Sequence, residues 1–258
     1  MSSLMLAAVA TLVFCAPGYP GGAGDAQPFV DQFAKATALA AGWSPDSLAA
    51  IYDPTEQGGI AKLSDKDSVL TFVPYAFYVQ HGSALHLSPL VQADVVGVGT
   101  QERWTLVGMA GGPVMDASSL GDYTILSTAG YAPEFVRHAA LAAWDLSTNV
   151  KIESTGQILS ALRRVASGEP VVALLDQTQA AALPSLPFAA QIKTLVQSPP
   201  LPVALIAVVH SRLPPPRAKA VQTALLKLKS EEGGADALSA LRLKGFTLPQ
   251  LPGNKLKP

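Results

Sequence analysis

Short apolar, β-branched runs alternate along this chain with longer segments whose apolar residues recur every three or four positions. That alternation is the signature of an α/β sheet protein. Residues 11–16 read as the first strand and residues 17–24 as a Pro/Gly-rich loop. The spacing then predicts a helix over 27–41, with Phe29, Phe33, Ala34, Thr37 and Ala40 on one face and Asp25 and Pro28 suiting its start. Residues 48–52 form the next strand. Residues 53–59 turn into a short helix ending near Leu63. Residues 69–74 are continuously apolar, which predicts a strand buried on both faces.

After Ala84 the pattern changes. Residues 90–98 and 102–109 read as extended, with a turn at 109–113. A second α/β set follows: strand 124–126, helix 133–144, strand 150–153, helix 157–167 and strand 171–175. Within the helix at 157–167, Ile158, Leu159, Leu162, Val165 and Ala166 make the apolar stripe, and Gly168 ends it. Extended runs at 192–197 and 203–209 and helices at 217–229 and 235–241 complete the order. The tail from Leu248 reads as loose. This order implies two lobes. Residues 11–98 and 206–258 form the first, residues 99–205 the second, and crossing segments at 96–106 and 198–208 the hinge.

Composition narrows the chemistry. The 258-residue chain (26.7 kDa) is 49% hydrophobic and 14% charged, enough to bury a large core. A net charge of −1 and a pI near 6.4 offer no basic field for nucleic acid. Cys15 is the single cysteine, which rules out an internal disulfide and a cysteine-built zinc site. Residues 1–24 carry no charge, and the apolar run at 4–14 is too short to span a bilayer. It lacks the positive stretch of a secretory signal. Phe14 stands where a lipoprotein processing site would need a small residue. Residues 11–16 are therefore read as a buried strand with Cys15 inside, and residues 1–10 as a signal remnant ahead of it.

The most informative stretch is Thr124-Ile-Leu-Ser-Thr-Ala-Gly-Tyr-Ala-Pro-Glu-Phe-Val-Arg137. A short β-branched run stops at small hydroxylated residues and a glycine just before a helix. The first turn of a helix has unpaired N–H groups and the positive end of its dipole. Ser127, Thr128 and Tyr131 would complete a socket for an anion or polar oxygen there, or Ser127 and Thr128 would cap the helix. Tyr19 and Tyr75 follow strands one and three, where open α/β sheets bind ligands. Thr55 and Glu56 open the short helix after residue 53. Thr155 precedes the helix at 157, and Asp176 and Gln177 end the strand at 171–175. Each also has a reading as a cap or packing residue, and Asp176 would accept a ligand hydroxyl or amine or cap the helix that follows.

Nothing in the sequence argues for catalysis. The four histidines form no i, i+4 pair and there is no HExxH, so no metal site is expected. Gly97-Val-Gly99 lacks the third glycine of a dinucleotide fingerprint, and neither GxxxxGK nor GxSxG occurs, so no cofactor is expected. An enzyme pairing Glu56 with Asp176 as acid and base is a minor alternative. Another is a carrier of an apolar, lipid-like ligand, suggested by Phe72, Tyr75, Phe77 and Tyr78.

Three segments carry a family resemblance. Leu12-Val-Phe-Cys-Ala-Pro-Gly-Tyr19 resembles the opening strand and loop of type II periplasmic binding proteins. Leu126-Ser-Thr-Ala-Gly-Tyr131 resembles the helix start of their second lobe, and residues 157–176 their helix–Gly turn–strand leading to the cleft. The chain is most similar to the phosphate/phosphonate receptors of ABC transporters over residues 11–245. The resemblance implies a two-lobe fold with an interlobe cleft, a small oxyanion ligand, a membrane permease as partner, a periplasmic location and a monomer. Two departures stand out. Ala129 replaces a hydroxyl found in those receptors, and the matching loops have no Arg or Lys to clamp a dianion.

Overall fold

In the computed structural model, which describes residues 9–18 and 22–252, the chain builds two separate sheets. It runs through β1 (Ala10–Cys15), α1 (Ala23–Ala40), β2 (Leu48–Asp53), α2 (Glu56–Ser64), β3 (Ser68–Pro74), α3 (Tyr75–His81) and β4 (Leu87–Val95). Next come β5 (Gln101–Glu102), β6 (Thr105–Met109), β7 (Thr124–Ser127), α4 (Pro133–Phe135), β8 (Lys151–Ser154), α5 (Ile158–Ala166), β9 (Val171–Leu175), α6 (Gln177–Ala182) and β10 (Ile192–Gln197). It ends with β11 (Leu201–Pro202), β12 (Ala204–Val209), α7 (Pro215–Lys227), α8 (Gly234–Ala240) and β13 (Leu243–Thr247).

The first sheet has the order β13-β4-β12-β3-β1-β2, and the second β10-β6-β9-β7-β8. β1 runs parallel to β2 and β3, and β7 parallel to β8 and β9, so each sheet has a βαβ heart with antiparallel strands added. The chain leaves the first sheet after β4 and returns to it at β12. On the way out and back it passes through β5 and β11, which pair antiparallel, Glu102 opposite Leu201 and Gln101 opposite Pro202. These are the two crossing segments of a two-lobed α/β protein.

Packing explains the elements. α1 lays Val30, Phe33, Ala34 and Thr37 on the sheet, an i, i+3, i+4, i+7 stripe. Phe33 meets Phe14 edge-on at 5.6 Å between ring centroids and Phe246 at 5.9 Å. Phe29 is 47% exposed, so the stripe is rotated from the expected one. The helix also starts four residues earlier than the spacing suggested, with Pro28 inside it. Gln27 anchors that early turn, its Nε2 donating to Asp31 Oδ1 (2.7 Å) and to the Ala50 carbonyl in β2 (2.9 Å).

The helix expected over 133–144 is broken into a short α turn, a wide turn at Val136–Ala140 and a 3₁₀ turn at Ala142–Trp144. Phe135, Val136, Ala139, Ala140 and Leu141 are all buried, a face wider than a regular stripe, and the Leu141 N–H reaches back five residues to Val136. Among the labelled elements, α3 and β13 were not anticipated, whereas α6 is the helix that the cap reading of Asp176 implies. β13 pairs with β4 at the sheet edge, and beyond it the Gln250 N–H bonds to Gln92 Oε1 (2.7 Å).

One hydrophobic cluster bridges the sheets. Tyr75, Ala76, Leu201 and Leu205 pack with Trp104, Leu106, Ile125 and Phe135. That bridge is where the candidate site lies.

Candidate functional site

The loop after β1 reaches the turn after β7. Gly18 has φ +84°, the left-handed region that glycine enters without strain, and a Cβ there would stand 2.5 Å from the Thr128 carbonyl oxygen. Both its conformation and its close neighbour exclude a side chain. Around this contact lies a cavity of about 20 Å³, room for one water. Pro17, Pro74, Tyr75 and Ala76 form one wall, Thr128, Ala129, Tyr131 and Phe135 the other. Glu102, Trp104, Pro202 and Val203 lie along the crossing segments between them.

Three of the sequence-predicted residues therefore meet: Tyr75, Thr128 and Tyr131. Tyr75 is buried, its N–H donating to the Val203 carbonyl (3.0 Å) and its ring set against Tyr78 and Phe135. Burial, then the neighbouring Tyr78 phenol, push the Tyr75 hydroxyl up to about 12. It stays a neutral hydrogen-bonding group. Ser127, one residue before Thr128, is fully buried. Its hydroxyl donates to the Leu174 carbonyl in β9 (2.8 Å) and accepts from the Ala129 N–H (3.1 Å). Gly130 serves the fold in the same way. A Cβ there would collide with the Glu153 carbonyl at the end of β8, so backbone fills that side of the turn and leaves no room for a ligand beside Gly130.

The other expected residues are held elsewhere. Thr55 caps α2, its hydroxyl accepting from the Gly58 N–H (3.1 Å) and donating to Asp53 Oδ1 (2.7 Å). Asp53 also takes Lys62 at 2.7 Å. Glu56 faces His81 at 2.7 Å. The Thr155 N–H bonds to the Ser127 carbonyl (2.9 Å), and its hydroxyl accepts from the Gln157 N–H (3.1 Å). Asp176 caps α6, accepting from the Gln179 N–H (2.8 Å). Glu56 and Asp176, the minor enzymatic pairing, are thus each engaged with a different partner. Tyr19 lies outside the described residues. Of the aromatic run thought to wall the cleft, Phe77 is fully buried in a core of Val13, Leu63 and Val209, and Phe72 packs into the first-sheet core. Phe72 lies on β3, and α3, which carries Phe77 and Tyr78, turns only Tyr75 and Ala76 to the cavity.

Glu102 is the residue that pattern reading missed. It is 6% exposed, it lines the cavity, and it sits on β5 between the lobes. Burial, then the Asp176 carboxylate, push its carboxyl up to about 8, against the Gln177 backbone N–H and the Trp104 side chain, which favour the charged form. Asp176 is itself raised by burial, opposed by the Gln179 and Thr178 amides. Among the described lining residues there is no lysine, arginine or histidine. Arg103, next in the chain, donates instead to the Ser198 carbonyl (2.8 Å). The available signal was position alone, since Glu102 is the acidic residue within the expected crossing segment at 96–106.

A two-lobed α/β molecule with a small cavity at its hinge, apolar walls carrying a few polar groups, is the architecture of a solute receptor. The family of the periplasmic substrate-binding proteins of phosphonate ABC transporters matches residues 116–251, more than half of the chain, and the chain belongs to that family. No curated protein matches. Among solved structures, XAC2383 from Xanthomonas citri, bound to chloride, superposes with a TM-score of 0.66 at 16% identity, over 94% of this chain and 92% of that one. A phosphonate-transporter binding protein from Pseudomonas aeruginosa gives 0.60 at 12% identity, over 93% and 82%. PhnD1 of Prochlorococcus marinus, in complex with methylphosphonate, gives 0.59 at 12%, over 94% and 93%. At these identities the structures establish the shared two-lobe fold. The comparisons give the apolar-carrier alternative no support.

Proposed function

We propose that this protein is the receptor of an ABC-type uptake system, that it closes on a phosphonate- or phosphate-like oxyanion between its lobes, and that a membrane permease reads the closed form. The observation that carries the reading is the convergence of Tyr75, Thr128 and Tyr131 on one cavity at the contact between the loop after β1 and the turn after β7. In this reading residues 11–98 and 206–258 are one lobe and 99–205 the other. Thr128, Tyr131 and Tyr75 offer hydroxyls to the ligand, and Tyr19 remains a proposed contact read from the sequence alone. Ser127, Thr155, Asp176 and Gln177 hold the second-lobe frame, and Thr55 and Glu56 that of the first. Family membership supports a periplasmic, non-enzymatic role, and a monomer is proposed alongside it.

A space for one water does not admit a phosphonate, so the two walls must part for entry and close afterwards. The test is calorimetry and thermal unfolding of the purified chain with methylphosphonate, phosphate, sulfate and arginine. An oxyanion at 100 times its dissociation constant should add about 2.7 kcal/mol of stability. Binding of arginine with no response to any of the three anions would refute the reading.

A further inference from the structure

An oxyanion in this cavity meets a problem of charge. Glu102, an acidic residue only 6% exposed, lines the cavity, and the described lining holds no cationic side chain to balance that carboxyl. Two negative oxygens brought together in a site closed to water repel by several kcal/mol unless a proton lies between them. We propose that the cleft takes up its oxyanion together with one proton, held between the Glu102 carboxyl and a ligand oxygen, so that solute capture is linked to pH. This rests on the oxyanion reading above and adds to it the residue that carries the linkage.

Around Glu102 burial and the Asp176 carboxylate outweigh two donors, the Gln177 N–H and the Trp104 side chain, that favour the charged form. From the start of α6 it faces Asp176, a second carboxyl that opposes its ionisation, and the Gln177 N–H. From the segment leading into β6 it faces Trp104, which is uncharged. The opposite walls bring Tyr75, whose hydroxyl stays neutral, and Tyr131. Arg103 is engaged at Ser198 and does not line the cavity. Glu102 also sits on the strand pair that joins the lobes, opposite Leu201. Burial and Asp176 keep its proton bound up to about pH 8, so the free protein is already loaded at neutral pH.

The experiment is titration calorimetry of the full chain with methylphosphonate at pH 6, 7, 8 and 9, each in two buffers of different ionisation enthalpy. The buffer difference counts the protons taken up on binding, and Glu102→Gln is run alongside. The wild type should take up close to one proton at pH 9, where carboxyl and ligand are both ionised when free. E102Q should take up almost none. Because the ionisation of methylphosphonate is common to both proteins, the ratio of their dissociation constants isolates Glu102. The wild type should weaken roughly tenfold relative to E102Q between pH 7 and pH 9. Parallel pH profiles, or equal proton counts in the two proteins, overturn the linkage while leaving the oxyanion reading intact. Absence of any binding heat from methylphosphonate at every pH, with arginine bound instead, overturns both. Should E102Q fail to fold, the wild-type proton count, corrected for the known ionisation of methylphosphonate, decides: a count near zero at pH 9 refutes the proposal.

Discussion

Ser127 and Thr128 are adjacent hydroxyls with opposite duties, and separating them tests the whole reading of the second lobe. Replacing Ser127 by alanine removes two buried hydrogen bonds, to the Leu174 carbonyl at 2.8 Å and from the Ala129 N–H at 3.1 Å. A buried donor or acceptor left without a partner costs about 1–3 kcal/mol. The Ala129 N–H sits in a buried turn and keeps most of that cost, while the Leu174 carbonyl retains its place in the sheet. A loss of about 3 kcal/mol follows, equivalent to a fall of about 6–12 °C in melting temperature for a protein of this size. Thr128 lines the cavity instead, so Thr128→Ala should change stability by less than about 1 kcal/mol. It should weaken methylphosphonate binding about fivefold to tenfold through the loss of one hydrogen bond. Urea unfolding and calorimetry on the two variants give the comparison. A Ser127→Ala protein as stable as the parent, or a Thr128→Ala protein with unchanged affinity but broken stability, would show that the two roles have been assigned the wrong way round.

Two further outcomes can be checked on the same preparations. Gly130→Ala drives a Cβ into the Glu153 backbone, which cannot swing aside as a side chain would, so it should cost more than about 3 kcal/mol and show as lost soluble expression or a much lower melting temperature; a normal melt would contradict the packing of β8 on this turn. Asp53 is buried, which opposes its ionisation, but Lys62 and Thr55 outweigh burial and hold its carboxyl below the usual value of 3.8. The folded state therefore binds this proton less readily than the unfolded chain. The stabilisation is full above the unfolded value and lost as pH falls through about 4 towards the lowered folded one. Asp53→Asn should be less stable than the parent at pH 7 by about 1–3 kcal/mol, with the gap narrowing by pH 3 in urea titrations; a constant gap would refute the linkage.

Periodicity carried far in this chain. The strands at 48–52, 69–74, 171–175 and 192–197, the helices at 157–167 and 217–229, and the crossing segments all emerged from apolar spacing, because each element must bury one face and the spacing records which. Apolar spacing reports burial and not the direction of approach, which is why α1 was expected with Phe29 inward. The true stripe begins one residue later, and Gln27 ties the early turn to β2. A broad buried face, as at Phe135–Leu141, defeats a single helical period altogether. The strand at 243–247 was not legible either, since its place at the sheet edge depends on β4, about 150 residues away in the chain.

The site divides in the same way. The Ser-Thr-Ala-Gly turn at 127–130 identifies itself as a strand-to-helix junction, because small residues permit the tight backbone approaches that such a junction needs. Its neighbours do not follow from the local sequence. Which hydroxyl faces the cavity depends on β9 and β8, whose carbonyls claim Ser127 and fill the space beside Gly130. Glu102 gains its meaning only when two crossing segments bury it beside Asp176, for the proton affinity of a carboxyl is set by water excluded and charges brought near, both of which are properties of the folded chain.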